Sequence, residues 1–220
     1  MHHFANIKVD RIGKIIFLVT SVTNVPEKDI EIGFWLPEFA DPYSLLSAKY
    51  HIVVASPKGG ATVPDPTSIQ LSIEDPNAMA FLNEKKDVYQ QTKKLSSFLG
   101  KANEFDALYV VGGHGPMFDL AFDTESQALI AEFWEQGKIV AADCAGVGSL
   151  ANVKLSSGEH LLRGKRVTGF SKAEVDALGG GYEKAPSVWE PHIVTSGRLI
   201  TGQNPASAAG VAEAILAALA

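Results

Sequence analysis

Apolar positions along this chain gather into short unbroken runs separated by longer stretches of mixed character. Residues 14–22 (KIIFLVTSV), 51–55 (HIVVA), 106–111 (DALYVV) and 139–142 (IVAA) lack the alternation of a half-exposed strand. Their length and β-branched content predict strands buried on both faces of a parallel sheet. Between them, residues 43–48, 79–99 and 124–136 read as helical, the last amphipathic with Thr124 as its N-cap. Residues 61–76 carry too many prolines and aspartates for a regular element. Residues 193–195 and 199–201 flank Ser196-Gly197-Arg198 as a hairpin, and Asn204-Pro205 opens a final helix. Strands alternating with helices imply right-handed crossovers and a mostly parallel central sheet with helices on both faces. The expected fold is a three-layer, flavodoxin-like α/β sandwich forming a single domain over residues 1–220.

Composition narrows the function classes. At 220 residues and 46% hydrophobic the chain can bury one substantial core. Its net charge of −6, without a dense Lys/Arg run, argues against nucleic acid or an anionic membrane surface as partner. No run approaches the roughly 18 apolar residues of a membrane span, and no signal peptide is evident in Met1-His2-His3-Phe4-Ala5-Asn6. A single cysteine forbids an internal disulfide and suits a reducing cytoplasm. The histidines and carboxylates lack metal-ligand spacing, and Gly112-Gly113-His114-Gly115 lacks the Lys-Ser/Thr of a phosphate loop, so no metal or other cofactor is expected.

That lone cysteine, Cys144, stands where the run 139–142 gives way to Ala145-Gly146-Val147-Gly148. Small residues after a buried strand permit the sharp strand-to-helix turn of a nucleophile elbow, with the reactive atom above the sheet edge. Free amides and the helix dipole at such a turn favour a thiolate. Ligands of open α/β sheets bind beyond the carboxyl ends of the strands. The segment around Glu38, the Gly112–Gly115 turn and Cys144 all fall at such ends.

Four motifs, in order, carry a resemblance: Gly33-Phe34-Trp35-Leu36-Pro37-Glu38, Ala55-Ser56-Pro57-Lys58-Gly59-Gly60, Gly112-Gly113-His114-Gly115-Pro116-Met117-Phe118-Asp119-Leu120, and Thr201-Gly202-Gln203-Asn204-Pro205. With the elbow, they resemble the ThiJ/PfpI superfamily, and within it the branch of glyoxalase III and heat-shock chaperone proteins. The resemblance implies cofactor-independent conversion of methylglyoxal to lactate, or action on a related small carbonyl or acyl compound, with deglycase and holding-chaperone roles described for some members. It implies Cys144 as nucleophile, Glu38 as proton carrier, backbone amides at Gly113 and Ala145 as oxyanion donors, and a homodimer.

The chain departs from that pattern twice. The family's histidine directly after the cysteine is here Ala145, and the segment between Val167 and His192 reads as shortened around residues 177–182. Without the histidine, weak or altered activity is expected. A non-catalytic stress or redox-sensing role through oxidation of Cys144 is the alternative. His114 is the nearest candidate for proton transfer, against a plain reading as a turn residue. Each other candidate has its own plain reading: Glu38 as a carboxylate near a helix dipole, His192 as strand-end packing, His160 as solvated. Asp143 is expected to point away from the thiol and to hydrogen-bond nearby backbone.

Overall fold

The computed structural model describes residues 12–169 and 179–220. The elements begin with strand β1 (Gly13–Leu18), helix α1 (Leu36–Ser47) and strand β2 (Tyr50–Ser56). Three short helices follow, α2 (Pro66–Leu71), α3 (Pro76–Glu84) and α4 (Lys86–Gln90), then strands β3 (Lys93–Lys94) and β4 (Ala107–Val110). Helix α5 (Thr124–Glu135) leads to β5 (Ile139–Asp143) and the short α6 (Gly148–Ala151). Strands β6 (Arg166–Val167) and β7 (Gly181–Tyr182) form a small separate parallel pair. The hairpin β8 (Ile193–Ser196) and β9 (Leu199–Gly202) precedes the helix α7 (Ala208–Ala218).

The main sheet has the order β3-β2-β1-β4-β5-β9-β8, and every neighbouring pair is parallel except β8 with β9. Strand alternation divides the core in two. Ile16, Leu18, Leu108, Val110, Val140 and Ala142 pack against Leu129 and Phe133 of α5. Ile15, Phe17, Tyr109 and Ala141 face Phe39 and Leu46 of α1 and Val211 and Ile215 of α7. The expected α/β sandwich with both sheet faces covered is therefore what forms.

Several elements differ locally from expectation, each for an identifiable reason. Helix α1 starts at Leu36, with Glu38 in its first turn and Pro42 inside it, rather than near Tyr43. Proline lacks the N–H that would bond the carbonyl four residues earlier, which ordinarily breaks a helix. Here that carbonyl belongs to Glu38, and the buried Tyr109 hydroxyl donates to it at 2.8 Å. Residues 61–76 contain α2, capped by the Asp65 side chain, which accepts from Thr67 N at 2.9 Å. The stretch 79–99 is not one helix but α3, α4, β3 and a turn of 3₁₀ helix. Helix α5 is capped by Asp123, not Thr124: the carboxylate accepts from Ser126 N, leaving Thr124 as the first helical residue.

Parallel pairing decides where chemistry can gather. Because β1, β4, β5 and β9 are consecutive and parallel, their carboxyl ends open onto one edge. The segment leading to Glu38, the Gly112–Gly115 turn, Cys144 and the Gln203-Asn204 turn therefore meet there.

Candidate active site

Cys144 immediately follows β5 and has φ +49, one of two described non-glycine residues with positive φ. A backbone in that region costs on the order of 1–3 kcal/mol and is kept where the surroundings enforce it. The enforcement is visible in Asp143, whose Oδ1 accepts from Cys144 N at 2.9 Å. The turn continues as one stretch of 3₁₀ helix, Cys144–Val147, into α6. The sharp turn read from the small residues is thus present.

Glu38 reaches this elbow from α1. It is fully buried, and neither carboxyl oxygen has a hydrogen-bond partner of full geometry among the described residues. The Asp143 carboxyl and the Cys144 thiol are both close enough to act on its titration. Helix α1 is held rigidly: Phe39 packs on Phe17 and Phe34 at ring distances of 5.6 and 5.2 Å, and such pairs add about 0.5–1.5 kcal/mol each beyond area burial. Leu36 N donates to Ser68 Oγ and Trp35 N to the Gly112 carbonyl, both at 3.0 Å. Glu38 is therefore set by packing rather than by its own hydrogen bonds.

Two glycines make the close approach possible. A Cβ on Gly112 would run into Glu38 Oε2 and sit 2.6 Å from the Asp143 carbonyl oxygen. Gly113 has φ +119 and lies against the Trp35 amide, so only glycine fits. Gly112→Ala is expected to lower the melting temperature by roughly 3–10 °C, from an overpacking cost of about 1–3 kcal/mol. Thermal melts of the two proteins check this. An unchanged melt would mean that Glu38 is not wedged against Gly112.

The electrostatics run opposite to the expected thiolate. Burial, then the charges of Glu38 and Asp143, push the Cys144 thiol well above its ordinary range; an Ala145 N–H hydrogen bond opposes them only in part. Burial, then Asp143, raises Glu38, with the thiol contact opposing. Asp143 is itself raised by burial, against the Cys144 N–H it accepts, and its Oδ2 has no partner. Three acids share one dry volume, so they do not all ionise together. The helix that would stabilise a thiolate is only a short turn, too small for a full dipole. Asp143 does bind backbone as expected, and its position on the α1 face of the sheet also couples it to Glu38.

His114 stands at the opening, half exposed, with Nδ1 2.8 Å from Oδ2 of the buried Asp65. Its ring meets Trp35 edge-on at 5.6 Å. Asp65 thus caps α2 with one oxygen and orients His114 with the other, a partnership the sequence reading missed. Its only sequence signal is the Asp65-Pro66-Thr67 helix start. His114, Gly113, Cys144 and Ala145 line one cavity of about 260 Å³. His192 lies outside its lining; its backbone N–H bonds Ser207 Oγ at 3.1 Å. His160 is not merely solvated, since Nδ1 lies 3.2 Å from the Ala151 carbonyl. Among the described residues, no three His, Cys, Asp or Glu side chains gather to hold a metal ion. The shortening expected around residues 177–182 falls partly on 170–178, outside the described residues.

The DJ-1/PfpI family model matches residues 33–218, which takes in every side chain of this cleft. The chain belongs to the DJ-1/PfpI family. Among its relatives, "Glyoxalase 3" of Candida albicans is 27% identical, the match covering 93% of this chain and 98% of that one. The glutathione-independent glyoxalase hsp3102 of Schizosaccharomyces pombe is 29% identical over 85% of this chain and 89% of its own. In structure, Rapid Encystment Protein 24 kDa of Francisella tularensis aligns with a TM-score of 0.87 at 27% identity, covering 95% of this chain and all of that one. The crystal structure of glyoxalase III from Candida albicans aligns with a TM-score of 0.79 at 27% identity, over 94% and 97% of the two chains. This DJ-1/PfpI chain has a cysteine at a sharp turn after β5, the buried carboxyl of Glu38 near it, and the methyl group of Ala145 beside it.

Proposed function

We propose that this protein is a cofactor-independent glyoxalase that converts a 2-oxoaldehyde and water into a 2-hydroxy acid. The observation that carries the reading is the buried, unpartnered Glu38 carboxyl facing the Cys144 thiol at a strained elbow under an open cavity. The family's glyoxalase relatives make the same reading the natural one.

A carboxyl held neutral by burial has one O–H to give and one carbonyl oxygen to receive, so it can pass a proton without charging. In the first step the Cys144 sulfur bonds to the aldehyde carbon. The thiol proton goes to Glu38 as Glu38 gives its own to the aldehyde oxygen, with the amides of Gly113 and Ala145 as oxyanion donors. The hydrogen on that carbon then leaves as a proton while the neighbouring ketone carbon gains one, and the hydroxyl proton of the first carbon passes to the former ketone oxygen. This leaves the 2-hydroxy acid joined to sulfur as a thioester. His114 is the group assigned to that exchange: with Nδ1 committed to Asp65, Nε2 remains for the substrate. Water cleaves the thioester, releasing the acid and restoring the thiol. One carbon is oxidised and its neighbour reduced, so no outside redox partner enters.

The redox-sensing alternative is weaker, because oxidation runs through a thiolate, and burial beside Glu38 and Asp143 disfavours the thiolate of Cys144.

The test is formation of lactate from methylglyoxal by the native protein beside Ala145→His. Slow native turnover is expected, with at least about a tenfold gain in the variant, since a positioned base is typically worth roughly 10²–10⁴-fold. A native protein that forms no 2-hydroxy acid from any 2-oxoaldehyde would overturn the proposal.

A further inference from the structure

The cavity above Cys144 is shaped for more than a three-carbon aldehyde. Its volume of about 260 Å³ approaches the lower end of the roughly 300–1,000 Å³ of small-molecule pockets. Trp35, Met117, Tyr182, Pro186, Val188 and Trp189 give the wall its apolar character, Ala145 adds only a methyl group next to the sulfur, and Lys184, His114, Gln203 and Asn204 are its polar members. Val188 and Trp189 stand 72% and 71% exposed, so two large apolar side chains at the cavity remain in water until something covers them.

Several polar groups at the same wall are already engaged. Gln203 Oε1 accepts from Ala185 N at 2.8 Å, and its Nε2 donates to the Val188 carbonyl at 3.3 Å. Asn204 Nδ2 donates to the carbonyls of Val188 and Glu190 at 2.8 and 2.7 Å, and its Oδ1 accepts from Ser207 Oγ. The Tyr182 hydroxyl donates to the Gly169 carbonyl. The two amides thus pin the backbone of residues 185–190, the segment that holds Val188 and Trp189 in place. Asn204 thereby spends both of its amide N–H groups and Gln203 one of its two. A hydroxyl pressed against the apolar part of this wall loses its hydration uncompensated, so that part disfavours sugar-like carbonyl compounds.

We infer that the cleft selects 2-oxoaldehydes carrying a bulky apolar substituent, an aryl group above all, with Trp189 as a specificity-determining residue. The inference rests on the glyoxalase reading for the reaction, but its binding component does not. The carbonyl carbons sit at Cys144, and the flat substituent packs on the Trp35 and Trp189 side chains that line the cavity, where stacking and desolvation add to each other.

Kinetics with phenylglyoxal, methylglyoxal and 3-deoxyglucosone test this, since the last is large but hydroxylated. The order of kcat/KM is expected to fall in that sequence, with at least about tenfold between the first two, because one methylene held by an apolar pocket is worth roughly 10-fold or more. Trp189→Ala is expected to collapse the phenylglyoxal preference, mainly through KM. Phe122→Ala, which alters an exposed aromatic outside the cavity, is expected to keep it. Equal rates, or a preference for methylglyoxal or 3-deoxyglucosone, overturn the inference. If no 2-oxoaldehyde is turned over, the glyoxalase reading fails on its own. Binding of unreactive acetophenone against acetone to Cys144→Ser, followed by calorimetry, then decides: tighter acetophenone binding that weakens with Trp189→Ala supports the apolar selection, and no difference ends it.

Discussion

Cys144→Ser is expected to lower 2-oxoaldehyde turnover by at least about 10⁴-fold while leaving the fold intact. Sulfur is nucleophilic even with little thiolate present, whereas a serine hydroxyl needs a strong positioned base. The groups beside the residue-144 side chain supply none: Ala145 offers only a methyl group, and burial pushes the Glu38 carboxyl upward. The surroundings that push a thiol upward would push a hydroxyl further. Serine retains the side-chain size, and Asp143 still receives the residue-144 N–H that supports the positive φ. Thermal melts are therefore expected to agree within a degree or two, on the scale of a sub-kcal/mol change. Single-turnover assays with intact-mass detection separate the outcomes. Residual activity above a few per cent would remove Cys144 as the nucleophile.

Glu38→Gln is expected to move activity and stability in opposite directions. Turnover falls by roughly 10²–10⁴-fold, the usual worth of a positioned acid or base, because an amide neither receives the thiol proton nor returns one. For stability, burial raises the Glu38 pKa from the ordinary value near 4.5, so the folded chain holds this proton more tightly than the unfolded chain. Its stabilising contribution is full below that ordinary value and is lost as the pH climbs toward the folded-state value. The native protein should weaken from pH 5 to pH 8 on this account, and the neutral glutamine should not. The variant's melting temperature relative to native is expected to rise between those pH values by a few degrees, about 2–4 °C per kcal/mol for a chain of this size. The thiol should also respond: Glu38 ranks second only to burial in raising it, so the pH profile of alkylation by iodoacetamide shifts acidward in the variant. A parallel pH dependence of the two melts would mean that Glu38 titrates as an ordinary surface carboxyl.

How far the sequence could be read depended on whether a residue's partners were its neighbours in the chain. The run 139–142 ending in small residues sufficed to place the elbow, because a buried strand and a sharp turn are local properties. The hairpin of β8 and β9 was legible for the same reason. Helix α1 was not. Pro42 inside it is tolerated because Tyr109, 67 positions past the proline, occupies the carbonyl left without a donor. Asp65 falls in a stretch that reads as broken because its second partner, His114, is 49 positions away in the chain.

The sequence by itself determined the layered α/β architecture and the sharp turn at Cys144, which follow from residue types at fixed local spacing, and its ordered motifs pointed to the family. Only the tertiary structure decided in which direction burial pushes the acids of the site, the Asp65–His114 pair and the apolar wall held by Gln203 and Asn204. Thiolate or thiol is a question of how much water and how many charges surround one sulfur. That is settled by burial and by distant chain segments brought together, which no local pattern encodes.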